Sequence, residues 1–107
     1  MAVTAKQTTI TTAKQIMSSL NLDDNEQDQA TIQQLLDFAI AYTEQTVSGN
    51  LTIDAIALRT NYALVNTLLS TIVTNLFYDR YLLESQGFSI GVKIMLNNIR
   101  NIMSENV

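Results

Sequence analysis

A chain of 107 residues has room for one domain and one core. This one is apolar and charge-poor, with 47% hydrophobic and 15% charged residues against the roughly 25% charged that soluble domains usually carry, and its net charge is −4. Cysteine and histidine are both absent, which excludes disulfides and thiolate metal sites and removes the usual general base, so an enzyme would have to work through carboxylates.

The opening MAVTAKQTTITT contains no apolar run of signal-peptide length, so secretion is not expected, and residues 1–10 read as a flexible lead-in. Thr12 can cap a short helix over Ala13 to Leu20, with Gln15 completing a Thr-x-x-Gln capping box. NLDDNEQD then reads as a polar loop whose acids sit where a helix N-terminus favours negative charge. Asp24, Glu26 and Asp28 have the alternate spacing of a calcium loop, but Gln29 stands where glycine is needed and Leu35 where glutamate is, so the motif fails. The second helix carries Ile32, Leu35, Leu36, Ala39 and Thr43 on one face and ends near Ser48-Gly49-Asn50, with Gly49 as its C-cap.

The charges are unevenly placed. Between Lys14 and Arg59 there is no basic residue, while Asp23, Asp24, Glu26, Asp28, Asp37, Glu44 and Asp54 all lie there. Such a stretch is unsuited to wrapping nucleic acid, which takes Lys and Arg to release counterions, although it could stand beside DNA without gripping it.

Thr52 can cap the next start, and a helix runs from Ile53 to about Leu83, either continuous or split near Arg59 to Asn61. Inside it, Thr60 to Tyr78 is nineteen residues without a charge. A membrane span needs about 20 predominantly apolar residues. Eight of these nineteen are polar, three of them asparagines whose amides would want partners in hydrocarbon, so no membrane span is expected. The pattern fits an amphipathic helix instead: Val65, Leu68, Leu69, Ile72, Val73, Leu76 and Phe77 form one apolar stripe, with Tyr62 a turn earlier. The opposite face carries Asn66, Thr67, Ser70, Thr71, Thr74 and Asn75, polar but uncharged. Such a helix is either the centre of a small bundle or is caught between its own core and a neighbouring subunit.

Arg80 closes the stripe, as a cation favourable to the helix dipole or as a fork for carboxylates at a subunit contact. ESQGFS is a second loop, punctuated by Gly87, and Ser89 can cap a last helix carrying Ile90, Ile94, Met95, Ile99, Ile102 and Met103. The closing NNIRNIMSENV either completes the core or offers Ile99, Ile102 and Met103 to a partner. No nucleophile has a base beside it, no glycine-rich phosphate loop occurs, and the four methionines read as packing. The expected fold is all-α: one domain of four to five helices around one long central helix, working by binding other proteins.

Three stretches, in this order, resemble one family. NYALVNTLLSTIVTNLFYDR resembles the long helix of tailed-bacteriophage head–tail connector proteins, which ends in a tyrosine followed shortly by Asn-Arg; here the end is Tyr78-Asp79-Arg80, so the tyrosine and arginine match while the spacing and the asparagine differ. SIGVKIMLNNIR resembles the family's closing segment, through Ser89, Gly91-Val92, Met95-Leu96 and Arg100. The region from Ile10 to Gly49 is similar to the family's opening, a short helix leading through an Asp-rich loop to a second helix that ends near a glycine.

The resemblance implies a structural virion protein that forms a ring, usually twelvefold, beneath the portal protein at the head–tail interface. Such a ring extends the DNA channel, offers a platform to a stopper or tail-completion protein, and needs neither cofactor nor metal. In that setting Asn66, Thr67, Ser70, Thr71, Thr74, Asn75 and Arg80 are expected at the subunit interface. Ile99, Arg100, Ile102 and Met103 are expected at the portal, and Asp37 and Glu44 along a channel wall that repels DNA phosphates. The competing expectation is a cytoplasmic helical adaptor or regulator that forms a homodimer through the same stripe.

Overall fold

The computed structural model describes residues 9–20, 26–78 and 90–105. They form five helices and no strand: α1 (Ala13–Ser19), α2 (Glu26–Val47), α3 (Ile53–Arg59), α4 (Tyr62–Tyr78) and α5 (Ile90–Glu105). The all-α expectation is met. Arg80, the ESQGFS loop, Gly87, Ser89 and the stretch from 79 to 83 lie outside the described residues, as do residues 1–8.

The helix starts follow the capping chemistry. The Gln15 N–H donates to the Thr12 hydroxyl at 3.2 Å while the Thr12 N–H donates to Gln15 Oε1 at 3.0 Å, a reciprocal box that satisfies two orphan donors of α1. Glu26 and Asp28 occupy the first turn of α2, where they face the positive end of its dipole; Asp24, the other acid of the failed calcium-loop pattern, lies outside the described residues. Thr52 caps α3 by accepting from the Ala55 N–H at 3.3 Å.

The long helix is split in two. Thr60 leaves the helical region with φ −114° and ψ −94°, and Asn61 restarts the chain by accepting from the N–H groups of Ala63 (2.8 Å) and Leu64 (3.3 Å) through its side-chain oxygen. At this elbow the half-buried Tyr62 hydroxyl donates weakly toward Asp54, 3.4 Å from its carbonyl and 3.5 Å from its carboxylate. Lost solvation first, then the Asp54 charge, holds this phenol above its ordinary pKa.

The turn between α2 and α3 is built on Glu44. Its carbonyl accepts from Ser48 (3.1 Å) and Gly49 (2.8 Å), Gly49 reverses the chain at φ +78°, and its carboxylate accepts from the Ile53 N–H at 2.7 Å. That N–H belongs to the unpaired first turn of α3, so a negative acceptor there is favoured by charge as well as by hydrogen bonding. Glu44→Ala should therefore lower stability by about 1–2 kcal/mol, with Glu44→Gln losing less, measured by urea unfolding. Equal stability of the alanine variant and the parent would remove this role.

α4 is the centre of the molecule. It packs most extensively on α2, then on α5 and α3, while α1 packs on α2. Val65, Leu68, Leu69, Ile72, Val73 and Leu76 are all buried. At about 1.5–3 kcal/mol for each fully buried side chain of this kind, that stripe outweighs any cap or polar contact in the chain. From α2 come Ile32, Leu36, Ala39 and Thr43, with Leu35 only half-buried; the Thr43 hydroxyl sits in the core because it donates to the Ala39 carbonyl at 2.8 Å.

The last helix turns inward only part of the expected set: Met95, Ile99, Ile102 and Met103 are buried or half-buried, but Ile90 and Ile94 face outward. Val92, Leu96 and Ile99 are buried, with Met95 and Met103 packed beside them, whereas Ile90 is 74% and Ile94 53% exposed. The positions 92, 96 and 99 follow the i, i+4, i+7 rule as well as the chosen set does, and α5 carries apolar residues on two sides.

Candidate functional site

The opposite side of α4 lines an open groove of about 630 Å³. One wall is α4 itself, through Asn66, Thr67, Ser70, Thr71, Thr74 and Asn75; the other is Thr9, Thr11, Gln15 and Ser19, from the N-terminal segment and α1. Every lining side chain is polar and none is charged. Ligand pockets of this volume are normally concave and mostly apolar, with a few convergent polar groups. This groove differs in that every side chain lining it is polar and uncharged.

Asn66 joins the two walls. Its side-chain oxygen accepts from the Thr11 N–H and its amide donates to the Thr9 carbonyl, both at 2.9 Å, so one side chain pairs with the backbone as a neighbouring strand would. It is only 9% exposed. Ile10, between the two partners, packs against the core, so the flexible lead-in expected to reach residue 10 does not include Thr9 and Ile10. Asn66 therefore belongs to the chain's own packing and is corrected as a direct interface residue.

Thr67, Ser70, Thr71, Thr74 and Asn75 are partly or fully exposed along the groove, brought together as the sequence predicts. They need no charge to be stable there, because the Thr71 and Thr74 hydroxyls donate to the Thr67 and Ser70 carbonyls of the same helix at 2.7 Å. Arg80, predicted beside them, lies outside the described residues.

The other predicted sites are redistributed. Ile99, expected at a partner, is completely buried, so it closes the core and is corrected as a docking residue. Arg100 is exposed, but its Nε donates to the Thr46 carbonyl at 3.2 Å and its Nη1 to Asn97 Oδ1 at 3.4 Å. Thr46 lies in the last turn of α2, where carbonyls lack helical partners and a cation is favourable, so Arg100 clamps α5 to the end of α2. Ile102 and Met103 are half-buried on the same helix. Asp37 points to solvent and accepts from Gln33 Nε2 at 2.9 Å, whereas Glu44 holds the α2–α3 turn and is corrected as a channel-facing charge.

Sequence reasoning missed the second wall of the groove. The signal was present: TTITT is a neutral, hydroxyl-rich stretch of the same character as the outer face of α4. Among the described residues no group of three or more metal-ligating side chains occurs, no buried side-chain nitrogen or oxygen lacks a partner, and no helix is long and apolar enough to cross a membrane. Compared with protein-family models, curated proteins and solved structures, the chain matches none of them.

Proposed function

We propose that this chain is a structural connector subunit of a tailed bacteriophage, one of a ring seated beneath the portal that extends the DNA channel toward a stopper or tail-completion protein. The observation that carries the reading is the outer face of α4, uncharged from Thr67 to Asn75 and open along the groove. A helix that faces only water normally carries Glu and Lys there; one that meets another subunit is better served by small neutral groups, since a charge buried without a partner costs several kcal/mol. In a ring each subunit contacts two neighbours through two different surfaces, and such a face suits one of them.

The acidic character of α2, with Glu26, Asp28 and Asp37 and no base, supports a wall that lets DNA slide without gripping it. Glu26 and Asp37 are the exposed acids of that set. The resemblance of Asn61–Arg80 and Ser89–Arg100 to connector segments supports the same reading.

The test is to tag the protein, express it in its own host during phage induction and identify what copurifies by mass spectrometry. Portal and tail-completion proteins in the eluate are the expected result. An eluate holding only host proteins, with virions forming normally without this chain, favours a homodimeric cytoplasmic adaptor and overturns the connector reading.

A further inference from the structure

We infer that the N-terminal wall of the groove is a releasable strap. Residues 9–11 lift off α4 as a unit, hinged at Thr11–Thr12, while the helices stay folded, so the groove has a two-walled and a one-walled state.

The strap is held at one place. Its long-range hydrogen bonds, from the Thr11 N–H to Asn66 Oδ1 and from Asn66 Nδ2 to the Thr9 carbonyl, both run to a single side chain. The two bonds therefore form and break together. Its one apolar anchor, Ile10, packs against the core but is only half-buried, Thr11 is half-buried too, and Thr9 is exposed. Segments with few buried apolar contacts and accessible backbone bonds open at a fraction of the free energy of global unfolding.

The helix that follows does not depend on the strap. The start of α1 is satisfied from within, by the reciprocal bonds of Thr12 and Gln15 and by the Ile16 N–H donating to the Thr12 carbonyl at 3.1 Å. Ala13, Ile16 and Met17 are buried, and α1 packs on α2. The further bond of the strap is local, from the Thr11 hydroxyl to Gln15 Oε1 at 3.2 Å. Thr12 itself is extended, with φ −110° and ψ 162°, so the chain leaves the helix axis at this point. The segment can swing there without breaking a bond inside α1.

Release changes what the groove offers. Thr9 and Thr11 leave the wall, and Gln15 and Ser19 remain as its second side. The Asn66 amide regains the donor and the acceptor that the strap had used, and the apolar seat of Ile10 joins the face. A closed neutral trough becomes an open shelf with one apolar spot and one amide. Anything that binds the shelf better than the trough holds the strap open, by no more than its difference in affinity for the two states.

The test is native-state hydrogen exchange of the full chain, followed residue by residue through a series of urea concentrations below the unfolding transition. The Thr11 N–H is expected to exchange about 10²- to 10³-fold more slowly than an unstructured amide, the protection that two ordinary hydrogen bonds and a half-buried Ile supply. Its rate should barely change with urea, because lifting three residues exposes little surface. The amides of Leu69 and Ile72 in α4 should exchange at least tenfold more slowly and accelerate steeply with urea. Ile10→Ala should speed Thr11 exchange by about tenfold while Leu69 and Ile72 stay protected, because the anchor and the hydrogen bonds open together.

Thr11 exchanging in step with Leu69 and Ile72 along the whole urea series overturns the inference, since the wall would then open only with the bundle. So does a Thr11 amide with no protection in the parent, which nothing would be holding. An unchanged Thr11 rate in Ile10→Ala overturns it as well, because the bonds would then break without the segment lifting.

Discussion

Truncation after Asn98 should leave a chain that does not fold. The removed segment contains Ile99, completely buried, and the half-buried Ile102 and Met103, and it carries the Arg100 guanidinium that bonds the Thr46 carbonyl at the end of α2. Removing a buried Ile side chain alone costs about 2–5 kcal/mol, and small domains have only about 5–15 kcal/mol in total. Adding the two partly buried side chains and the helix clamp brings the loss to the scale of the whole stability. The expected result is a truncated chain without a cooperative urea transition, beside an Ile99→Ala variant that folds with a midpoint lowered in proportion to about 2–5 kcal/mol. A truncated chain that unfolds cooperatively near the parent's midpoint would sink the assignment of this segment to the core.

It follows that the truncation does not report on docking to a portal, because it removes the fold first. A variant at the exposed Asn101, such as Asn101→Glu, leaves Ile99 in place and changes only the outward side of α5.

Much of this architecture was legible in the sequence because its signals are local. Thr12 with Gln15, Thr52 and Gly49 each fix a helix end through chemistry spanning four residues or fewer, and the structure places each end within a residue of expectation. The α4 stripe was legible for another reason: its apolar and neutral positions separate cleanly on the helix, so only one face can be inward. Asn61 was a weaker signal. Asn is a strong N-cap, yet the apolar period continues across it, and the sequence left the helix either whole or split. The first turns of α5 were misread because Ile90 and Ile94 compete with Val92 and Leu96 for the inward side, while Ile99 lies inward as expected. Nothing local decides that; the choice is made by which stripe fits against α4 and α2. The second wall of the groove lay beyond reach for the same reason, since Thr9 and Thr11 meet Asn66 across 57 and 55 positions of chain.

The neutral face of α4 then has a physical explanation in two parts. Near its start the face is covered by the chain's own N-terminal segment, tied down by Asn66, and there a charge would be buried. Further along, the Thr71 and Thr74 hydroxyls donate to α4 carbonyls and so are satisfied within the helix, and the wall stays polar without needing ions. The covered part belongs to folding, and the uncovered part lines the open groove. One substitution can separate them.

That substitution is Asn66→Asp, which keeps the shape and the acceptor facing the Thr11 N–H but replaces the donor to the Thr9 carbonyl with a second oxygen. Near neutral pH a carboxylate oxygen would then face a carbonyl oxygen at a nearly buried position, and the variant should lose about 2–4 kcal/mol relative to the parent. The loss should depend on pH with a definite sign. Once protonated, the introduced carboxyl can donate to Thr9 again, and burial beside a carbonyl disfavours its charge, so its folded pKa lies above the unfolded value of about 3.9. The folded state then binds the extra proton, so the stability this group contributes is greatest below about pH 4 and falls as pH rises through the folded pKa, at up to about 1.36 kcal/mol per unit for one group. Because acid also protonates carboxylates common to both proteins, the quantity to follow is the difference between variant and parent in urea unfolding. That difference should shrink on acidification for Asn66→Asp and stay constant for Asn66→Ala, which removes both bonds and titrates nothing. A deficit independent of pH in the Asp variant, or no deficit at all, would mean that the amide does not hold the N-terminal segment to α4, and the wall it supports would have to be held by Ile10 and α1 alone.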